Sequence, residues 1–462
     1  MTRRRLVVIG GDAGGMSAAA QARRRSEPDE LEIVAFERGA YSSYSACGIP
    51  YLVGGLVSNV DDLVARTPEE HRRNGIDLRT GTEVVNIDVE ARAVTVRDVE
   101  SGRESREPFD DLVIGTGARP VRPPLPGVDA PGVYGVQTLG DGLRLRDEAI
   151  GDGGERGRVV VVGAGYVGLE LAEALHLRGR AVTVVEAGAQ PMQTLDPDMG
   201  ALVADAIRGL GITLLTDTRV AAFETGVDGR VRAVVIGERS IDADTVVLGL
   251  GVKPDVGLAH DAGIEIGPSG GIATNERMAT SAPGVWAAGD CVECHHRVSN
   301  RPVTIALGTH ANKQGRVVGI NVTGGDAIFG GVVGTAVTRI CEYEVARTGL
   351  NEREAHDAGF DIESFTIEAT SRAGYYPGAT PITVKVVVER STRRLLGGQI
   401  VGREGAAKRI DVLATAIWNE MTADEVVQLD LGYAPPFSPV WDPVLVAARR
   451  ASRYPPPVTD RP

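Results

Sequence analysis

The 462-residue sequence predicts an α/β fold in which two similar strand–turn–helix–strand units are interleaved and followed by a third, α+β region. Three observations lead to this prediction. A glycine-rich turn follows a short apolar run twice, at residues 10–15 and 163–168. Each unit is closed by a later apolar run that ends in Gly-x-Gly. After about residue 330 the apolar runs are typical of a largely antiparallel sheet, with strands predicted at residues 332–340, 361–369, 381–389 and 396–401, helices at 406–419 and 423–429, a proline-rich loop at 433–441 and a frayed tail at 455–462.

The first unit begins with the apolar run of residues 6–9, which is typical of a buried parallel strand. A small-residue helix is predicted at residues 16–25, and a second strand at residues 33–37 ends in the acid Glu37. This order is that of the dinucleotide-binding βαβ unit, in which glycines let the backbone approach a pyrophosphate and the acid accepts from ribose hydroxyls. Asp12 replaces the middle glycine of G-x-G-x-x-G, and the turn residues assigned to the cofactor are Gly10, Gly11, Ala13, Gly14 and Gly15.

The second unit repeats the pattern and contains the complete motif. The strand of residues 159–162 leads into the turn, a helix is predicted at residues 169–177, and the strand of residues 181–185 is followed by Glu186. The turn residues assigned to the cofactor are Gly163, Gly165, Tyr166 and Gly168. Two Rossmann-like dinucleotide sites in one chain favour a flavin in one and a nicotinamide in the other.

Three further strand-plus-turn segments complete the two units. Residues 112–120 and 246–254 each place a Gly-x-Gly turn after an apolar run, so crossovers between the units are expected after Gly117 and Gly251. A third segment, residues 280–290, ends in Gly289 and Asp290. We expect the carboxylate of Asp290 to bind the ribityl chain of a flavin.

Charge and cysteine content argue against several classes of protein. The net charge of −13 disfavours a general nucleic-acid or membrane-surface partner. The first apolar run is too short for a signal peptide and no run reaches the ~18 apolar residues of a membrane helix, so a cytoplasmic location is expected. Four cysteines do not make a secreted disulfide framework. The C-x-x-C-H pattern of residues 291–295 lacks a second cysteine pair, so no metal site is expected.

Cys47 lies in a turn bounded by glycine and proline, ten residues after Glu37. No second cysteine lies within five residues on either side, which excludes a local dithiol pair. The sequence therefore predicts a redox centre with a single sulfur.

On these residues the chain resembles, over essentially its whole length, the pyridine nucleotide-disulfide oxidoreductases. Within that family it is similar to the single-cysteine branch of coenzyme A (CoA) disulfide reductases, NADH oxidases and peroxidases, and NADH-dependent persulfide reductases. The family marker S-F-x-x-C matches Ser43 to Cys47, with Tyr44 in place of phenylalanine. The T-G-x-x-P segment matches Thr116, Gly117 and Pro120. Residues 307–316 resemble the helix start that the family packs near the isoalloxazine, and Ala306 and Leu307 are assigned to the cofactor.

The resemblance implies three domains and a homodimer. The expected boundaries are 1–118 and 253–329 for an FAD domain in two segments, 119–252 for an inserted NAD(P)H domain, and 330–462 for a dimerisation domain. Electrons would pass from the nicotinamide through FAD to Cys47. Glu186 is expected to bind the adenosine 2′-hydroxyl, and no arginine follows it at residues 187–190, so NADH is favoured and NADPH stays possible.

Two features favour CoA disulfide or CoA persulfide over oxygen as the electron acceptor. Oxidases of this branch carry a histidine at the position of Ala13, which is absent here. CoA disulfide reductases place two tyrosines of the partner subunit over the cysteine, and Tyr433 and Tyr375 match them, with Tyr376 as the alternative to Tyr375. Core or turn tyrosines are the alternative interpretation.

CoA carries phosphates, so its site needs cations. Arg23, Arg24, His71 and Arg72 are the candidates, together with Ser43 of the marker, which is assigned to both the cofactor and the substrate; a solvated surface is the alternative interpretation. A helix start and the flavin environment are expected to lower the pKa of the Cys47 thiol.

A small-molecule disulfide or persulfide reductase is therefore the leading hypothesis. An NADH oxidase or peroxidase is the second. The third is a flavin redox sensor or electron carrier for a protein partner.

Overall fold

Two parallel sheets and one antiparallel sheet, each of five strands, form the framework of the computed structural model, which describes residues 3–150 and 157–453. The chain enters the first parallel sheet, leaves it for the second, and returns to the first before it forms the antiparallel sheet. The predicted α/β fold of two interleaved units and a third, α+β region is therefore confirmed.

The first part of the chain contains seven strands and three helices, preceded or interrupted by 3₁₀ turns at Ala46–Gly48 and Val60–Leu63. The strands are β1 Arg4–Ile9, β2 Leu31–Glu37, β3 Asp77–Thr80, β4 Thr82–Asp88, β5 Ala93–Asp98, β6 Glu104–Pro108 and β7 Asp111–Ile114. The helices are α1 Ala13–Arg23, α2 Ile49–Gly54 and α3 Pro68–Arg73. Strands β4 to β6 form a separate three-stranded antiparallel sheet.

The next part of the chain, residues 118–254, contains the second parallel sheet, in the order β12-β11-β10-β16-β9, and further strands that form smaller sheets. Its strands are β8 Ala118–Pro120, β9 Val133–Gly135, β10 Arg158–Val162, β11 Ala181–Val185, β12 Thr213–Leu215, β13 Val220–Thr225, β14 Val231–Ile236, β15 Arg239–Asp242, β16 Thr245–Leu248 and β17 Val252–Pro254. Its helices are α4 Leu139–Ile150, α5 Tyr166–Leu177 and α6 Pro197–Gly209. Strands β8 and β17 pair with each other, so both crossovers run side by side.

The chain then returns to the first sheet, whose order is β18-β7-β1-β2-β3. The elements of this part are α7 Gly257–Asp261, β18 Val285–Ala287, β19 Cys294–His296, β20 Arg301–Val303 and α8 Gly308–Val322. Strand β18 pairs in parallel with β7, and α8 packs against α1. The apolar side chains of these strands and helices form one buried core, as parallel strands covered on both faces require.

The antiparallel sheet has the order β21-β22-β25-β24-β23. Its strands are β21 Ala336–Ile340, β22 Tyr343–Gly349, β23 Ile362–Thr370, β24 Pro381–Glu389 and β25 Leu395–Gly402. The helices of this part are α9 Glu352–Asp357, α10 Ala406–Trp418, α11 Ala423–Val427 and α12 Pro443–Ala451. No helix among the described residues is both long and apolar enough to cross a lipid bilayer.

The turn that carries Cys47 lies where these three parts of the chain meet. It leads into α2, which packs on α5 of the second unit: Arg178 Nε donates to the carbonyl of Val53 at 3.1 Å. On the other side of α5, Thr338 of β21 donates to Glu170 at 2.6 Å. Ile49 and Leu52 of α2 lie in one hydrophobic core with Ile340 of β21, so contacts with both later parts of the chain position the helix that follows the cysteine turn.

Candidate active site

The first glycine turn has a geometry that only glycine can provide at its two ends. Gly10 has a φ of 100°, and a Cβ on Gly15 would lie 2.2 Å from the carbonyl oxygen of Gly10. The turn places the N-terminus of α1 beside the Gly289 turn, because Gly14 is in close contact with the carbonyl of Ala288. The first turn and the Gly289 turn, which lie far apart in the sequence, thus form one cradle.

Glu37 lies against the first glycine turn of this cradle. Its carboxylate accepts hydrogen bonds from the backbone N–H groups of Gly11 at 2.8 Å and Gly39 at 2.7 Å. Each carboxylate oxygen has a second lone pair. Glu37 therefore keeps acceptor capacity for the hydroxyls of a ribose.

Asp290 supplies a test of whether the cradle fits FAD. No hydrogen bond to its carboxylate comes from any residue that the structure describes, and burial raises its pKa to about 6. A half-buried carboxylate without a donor fits the hydroxyls of a ribityl chain. Gly289 is held by Gln314, whose Oε1 accepts from its N–H at 2.8 Å, and Leu307 caps α8 nearby. Ala306, which precedes Leu307, is exposed.

The second glycine turn has the same geometry and is open on the side where a dinucleotide would approach. A Cβ on Gly168 would lie 2.2 Å from the carbonyl oxygen of Gly163, whereas one on Gly165 would meet nothing within 4 Å. Glu186 accepts from the N–H groups of Ala164 and Gly188, each at 2.8 Å. The residues present therefore fit a nicotinamide dinucleotide.

Tyr166 and the crossover residues are placed around these two cradles. Tyr166 begins α5, and its hydroxyl is buried beside Thr194 without a hydrogen bond of good geometry. Thr116 Oγ1 donates to the carbonyl of Asp255 at 2.6 Å, which ties the end of the first part to the start of the returning part. Gly117 and Gly251 both have positive φ, at 72° and 79°.

Cys47 lies in the 3₁₀ turn Ala46–Gly48 and is exposed in the single chain. Packing around the sulfur raises its pKa, and the carboxylates of Glu170, Asp290 and Asp12 act in the same direction. Among the described residues, the charged groups that act most strongly on this thiol are carboxylates, which oppose the expected lowering of its pKa. Because that expectation included the flavin environment, it stays a prediction for the protein with FAD bound.

Ser43, the first residue of the marker, fixes the entry to this turn. It adopts a left-handed conformation with φ of 47°, and its N–H donates to the carbonyl of Gly11 at 2.9 Å. Its Oγ lies 2.9 Å from Nε2 of His71, a side chain that is only 2% exposed. Burial lowers the pKa of His71. His71 therefore supports the cysteine turn in this structure, and its contact with CoA stays a prediction.

The arginines assigned to CoA have different surroundings. The guanidinium of Arg23 donates to the backbone carbonyls of Gly75, Ser26 and Leu31. Arg72 donates to the carbonyl of Leu78 and to Glu69. Arg24 is exposed, and among the described residues its guanidinium makes only one long hydrogen bond, of 3.4 Å to Gln21 Oε1. Among the four predicted cations, Arg24 is the one left available to a phosphate in solution.

The predicted tyrosines lie on two neighbouring loops, one between β23 and β24 and the other between α11 and α12. Tyr375 is 79% exposed, Tyr376 is 36% exposed and Tyr433 is 49% exposed. Neither Tyr375 nor Tyr433 hydrogen-bonds to Cys47 or to any other described residue of the same chain. The single chain therefore leaves both phenols free for another surface.

The remaining cysteines are placed as structural residues. Cys291 and Cys294 are buried, and their thiols donate to backbone carbonyls. Cys341 is half-buried in the turn between β21 and β22, with φ of 57°. Within residues 3–150 and 157–453, no group of three or more His, Cys, Asp and Glu side chains could hold a metal ion.

Two dinucleotide cradles beside one exposed thiol define a nucleotide-linked redox enzyme. The model of the family described as "Pyridine nucleotide-disulphide oxidoreductase" matches residues 4–315, and the model of its dimerisation domain matches residues 335–443. The chain therefore belongs to this family, whose members use FAD and NAD(P)H. It is an NAD(P)H-dependent flavoprotein oxidoreductase, and its dimerisation domain indicates a homodimer.

The relatives of the chain include enzymes with different electron acceptors. It is 37% identical over 451 residues to an NAD(P)H coenzyme A polysulfide/persulfide reductase of Pyrococcus horikoshii, covering 97% of this chain and 98% of that one. A NADH oxidase of Methanocaldococcus jannaschii is 35% identical over the same share of both chains. A coenzyme A disulfide reductase of Staphylococcus epidermidis is 28% identical, covering 94% of this chain and 96% of that one.

A solved structure shows the same fold. The NAD-dependent persulfide reductase from A. fulgidus superimposes with a TM-score of 0.93 at 40% identity, covering 97% of this chain and 82% of that chain. The likeness extends over both parallel sheets and the antiparallel sheet. The architecture that holds Cys47 is therefore shared with this enzyme.

Proposed function

We propose that this protein passes electrons from NAD(P)H through FAD to Cys47 and reduces CoA disulfide or CoA persulfide or polysulfide. The observation that carries the proposal is the state of its four cysteines: Cys47 is the only exposed one, and no disulfide partner is present among the described residues. The second sulfur of the redox reaction then has to come from the substrate. The names of the persulfide and disulfide reductases among the relatives support the same substrate class.

Bound FAD would take a hydride from the nicotinamide and supply the electron pair that reduces sulfur. The cradle that would hold it is formed by the first glycine turn, Glu37, Gly289 and Asp290, and the second glycine turn and Glu186 would hold the nicotinamide dinucleotide. Glu186 has no basic partner for a 2′-phosphate in the residues that follow it. NADH is therefore the proposed donor.

Cys47 performs the sulfur chemistry in this proposal. Its thiolate attacks a disulfide or persulfide bond, so that a bond between Cys47 and one sulfur forms while the other sulfur leaves as a thiolate or hydrosulfide. Two electrons then break the new bond, which returns the Cys47 thiolate and releases the second thiolate. A proton is needed at each leaving sulfur.

Tyr375 and Tyr433 of one protomer are proposed to supply hydrogen bonds or protons to the sulfur at Cys47 of the other. Support comes from their exposed phenols, which have no partner among the described residues of their own chain. Tyr375 is preferred to Tyr376 because it is exposed more than twice as much. Phenol groups donate hydrogen bonds to thiolates, which stabilises the leaving group.

The nucleotide part of CoA is proposed to lie beside the end of α1. Arg24 is the cation that would meet a phosphate, while Ser43 lines the way to Cys47. Arg23, His71 and Arg72 already serve carbonyls or Ser43, so we assign them to holding this surface in place.

The expected domain boundaries are part of the same proposal. The pairing of β8 with β17 supports crossovers near residues 118 and 252, and the change from α8 to β21 supports a boundary near 329. A cytoplasmic location is proposed as well, because the described cysteines are all free thiols and such thiols persist in reducing compartments.

A NADH oxidase is the second candidate, since a relative of that name matches along the whole chain. The two candidates separate in one experiment on the purified holoenzyme. NADH oxidation is measured without oxygen in the presence of CoA disulfide, CoA persulfide or no acceptor, and then in air without thiol compounds. Turnover with the CoA compounds that exceeds turnover in air supports the proposal, and the reverse order contradicts it.

The matched variants are Cys47→Ser and Cys341→Ser. Cys47→Ser is expected to lose at least about 100-fold in CoA disulfide turnover while it retains FAD, because the nucleophile is lost. Cys341→Ser changes a half-buried thiol outside the redox turn and is expected to retain turnover. Substantial CoA disulfide reduction by Cys47→Ser would contradict the role of this sulfur.

A further inference from the structure

Two loops carry the tyrosines that complete the proposed site, and they are held together in the single chain. The tyrosine loops, residues 371–380 and 432–442, contain Tyr375 and Tyr433, respectively. The N–H of Ala373 in the first loop donates to the carbonyl of Pro435 in the second at 3.1 Å. Neither loop contains a helix or strand, so side-chain contacts have to fix their shape.

Arg409 of α10 reaches both tyrosine loops at once. Its Nη2 donates to the carbonyl of Ser371 at 2.6 Å and to the carbonyl of Phe437 at 2.8 Å. Its Nε donates to Asp442 at 3.0 Å. Ser371 lies four residues before Tyr375, and Phe437 lies four residues after Tyr433. One guanidinium therefore holds a point close to each tyrosine.

The clamp is anchored and shielded from water. The remaining nitrogen, Nη1, donates to the carbonyl of Gly405 at 2.6 Å, which fixes the guanidinium at the start of its own helix. The side chains of Arg409 and Asp442 are only 11% and 13% exposed. Asp442 also accepts from Ser438 at 3.0 Å and caps α12. All donor nitrogens are used, in directions that only the fork of an arginine provides.

We propose that Arg409 sets the distance and orientation of Tyr375 and Tyr433 and thereby positions them at the active site of the other protomer. This inference rests on the proposed function, in which the two phenols act on the partner's sulfur. Arg409 touches neither phenol, so it is a positioning residue. Its loss removes the counter-ion of the buried Asp442 carboxylate, leaves the carbonyls of Ser371 and Phe437 without the guanidinium donor, and is expected to loosen the two loops from each other.

The test uses mixed dimers that contain the same substitutions in two arrangements. In the trans dimer one protomer carries Cys47→Ser and the other carries Arg409→Met. In the cis dimer one protomer carries both substitutions and the other is wild type. Two different affinity tags on co-expressed chains allow each mixed holoenzyme to be isolated, and CoA disulfide turnover and FAD content are measured.

The two arrangements are expected to differ in CoA disulfide turnover if Arg409 acts across the interface. In the trans dimer the intact Cys47 receives tyrosine loops that still contain Arg409, so about half of the wild-type turnover is expected. In the cis dimer the intact Cys47 receives the altered loops, and turnover is expected to be about tenfold lower than in the trans dimer. General destabilisation cannot produce this difference, because both dimers contain the same two substitutions.

Control substitutions separate this inference from the proposed function. Lys408→Gln alters the exposed neighbour of Arg409 and is expected to show no difference between arrangements. Within the described part of the chain, the ion pair of Lys408 is with Asp411. Tyr433→Phe tested in the same two arrangements reports on the shared site itself. If Tyr433→Phe shows the difference and Arg409→Met does not, the role of Arg409 is refuted while the shared site stands.

If neither substitution shows the difference, the shared site and the role of Arg409 are both refuted. Arg409→Lys is the second variant, in case the methionine variant does not assemble. It keeps the ion pair with Asp442 but cannot serve both loop carbonyls, so a smaller difference of the same sign is expected. Equal turnover of its two arrangements also overturns the proposal.

Discussion

The two dinucleotide units share their backbone geometry down to single hydrogen bonds, yet they use it for different purposes. In each unit the acid after the second strand binds two backbone N–H groups: Glu37 binds those of Gly11 and Gly39, and Glu186 binds those of Ala164 and Gly188. All four distances are 2.7 or 2.8 Å. The equivalence of the two cradles therefore comes from the main chain.

The correspondence continues beyond the acids. Six residues after them lie Ser43 and Met192, with φ of 47° and 52°. Their N–H groups donate to the carbonyls of Gly11 and Ala164 at 2.9 and 2.8 Å. The side chains differ completely, since Ser43 contacts buried His71 and Met192 lies in an apolar core.

Ten residues after the acids, the two units have side chains that differ in exposure and in chemical role. The first unit has the exposed Cys47, and the second has Asp196, which is 2% exposed. Asp196 accepts from Gln399 at 2.6 Å and lies 3.3 Å from the ammonium of Lys385 in the antiparallel sheet. One copy of the turn thus presents a reactive group to solvent, while the other joins the unit to the C-terminal sheet.

Substitution of the last glycine of each motif should separate the two cradles with the largest effect. A Cβ on Gly168 overlaps the carbonyl of Gly163, so Gly168→Ala should reduce kcat/KM for NADH by about 100-fold while FAD stays bound. Gly15→Ala has the same clash with Gly10 and should instead yield protein deficient in FAD. Flavin absorbance relative to protein and NADH titration measure both. Loss of FAD from both variants would show that the cradles do not act independently.

Replacement of each acid by glutamine should have the next largest effect, on the preference for NADH over NADPH. Glu186→Gln removes the negative charge that repels a 2′-phosphate, so kcat/KM for NADPH should rise about tenfold relative to NADH. Glu37→Gln alters the equivalent acid of the other cradle and serves as the matched control. Its NADPH to NADH ratio should equal that of the wild type. A shift of this ratio in Glu37→Gln would contradict the assignment of the nicotinamide dinucleotide to the cradle of Glu186.

The features predicted from the sequence are those that the main chain dictates locally. Strands β11 and β24 have the predicted bounds, and most other predicted elements differ from the structure by a few residues at their ends. The predicted strand of residues 332–340 begins at Ala336, and the helix expected at residues 406–419 ends at Trp418. Glycine turns and apolar runs are visible in a sequence because neighbouring residues make them.

Elements and contacts that depend on distant residues were missed. Strand β22 has no alternation, because Arg347 is buried in it and paired with Glu354. Helix α12 follows a proline-rich loop and was not predicted either. Arg409 lies 38 and 28 residues from its two carbonyl partners in the tyrosine loops, and no local pattern links them. The expected tail at residues 455–462 lies outside the described residues.

Asp12, which stands where the first turn would otherwise have its middle glycine, is expected to make the stability of the folded protein depend on pH. Burial raises the pKa of Asp12 to about 6, and the charge of Glu37 adds to the shift. Because the folded pKa lies above the unfolded value of 3.8, the stability from this group is present at low pH and is lost as the pH rises through about 6. Asp12→Asn should therefore gain stability relative to wild type between about pH 4 and pH 7, on the order of 1 kcal/mol.

Urea unfolding of the flavin-free protein at several pH values measures this gain. Asp205→Asn changes an exposed carboxylate on α6 and is the matched control, for which no pH-dependent gain is expected. A constant difference between Asp12→Asn and wild type across this range would show that the buried carboxylate does not titrate there.

The smallest effect is expected from substitution of His71, which contacts the side chain of Ser43 and has no counterpart at Met192. His71→Phe removes the hydrogen bond to Ser43, while two backbone bonds of Ser43 remain. Loss of one neutral hydrogen bond costs about 1 kcal/mol, so the rate of Cys47 alkylation and CoA disulfide turnover should change by up to about fivefold with FAD retained. His71→Gln, which keeps a polar group, should restore both. Met192 holds the same left-handed turn with an apolar side chain, so unchanged alkylation in His71→Phe would mean that the backbone alone positions Cys47.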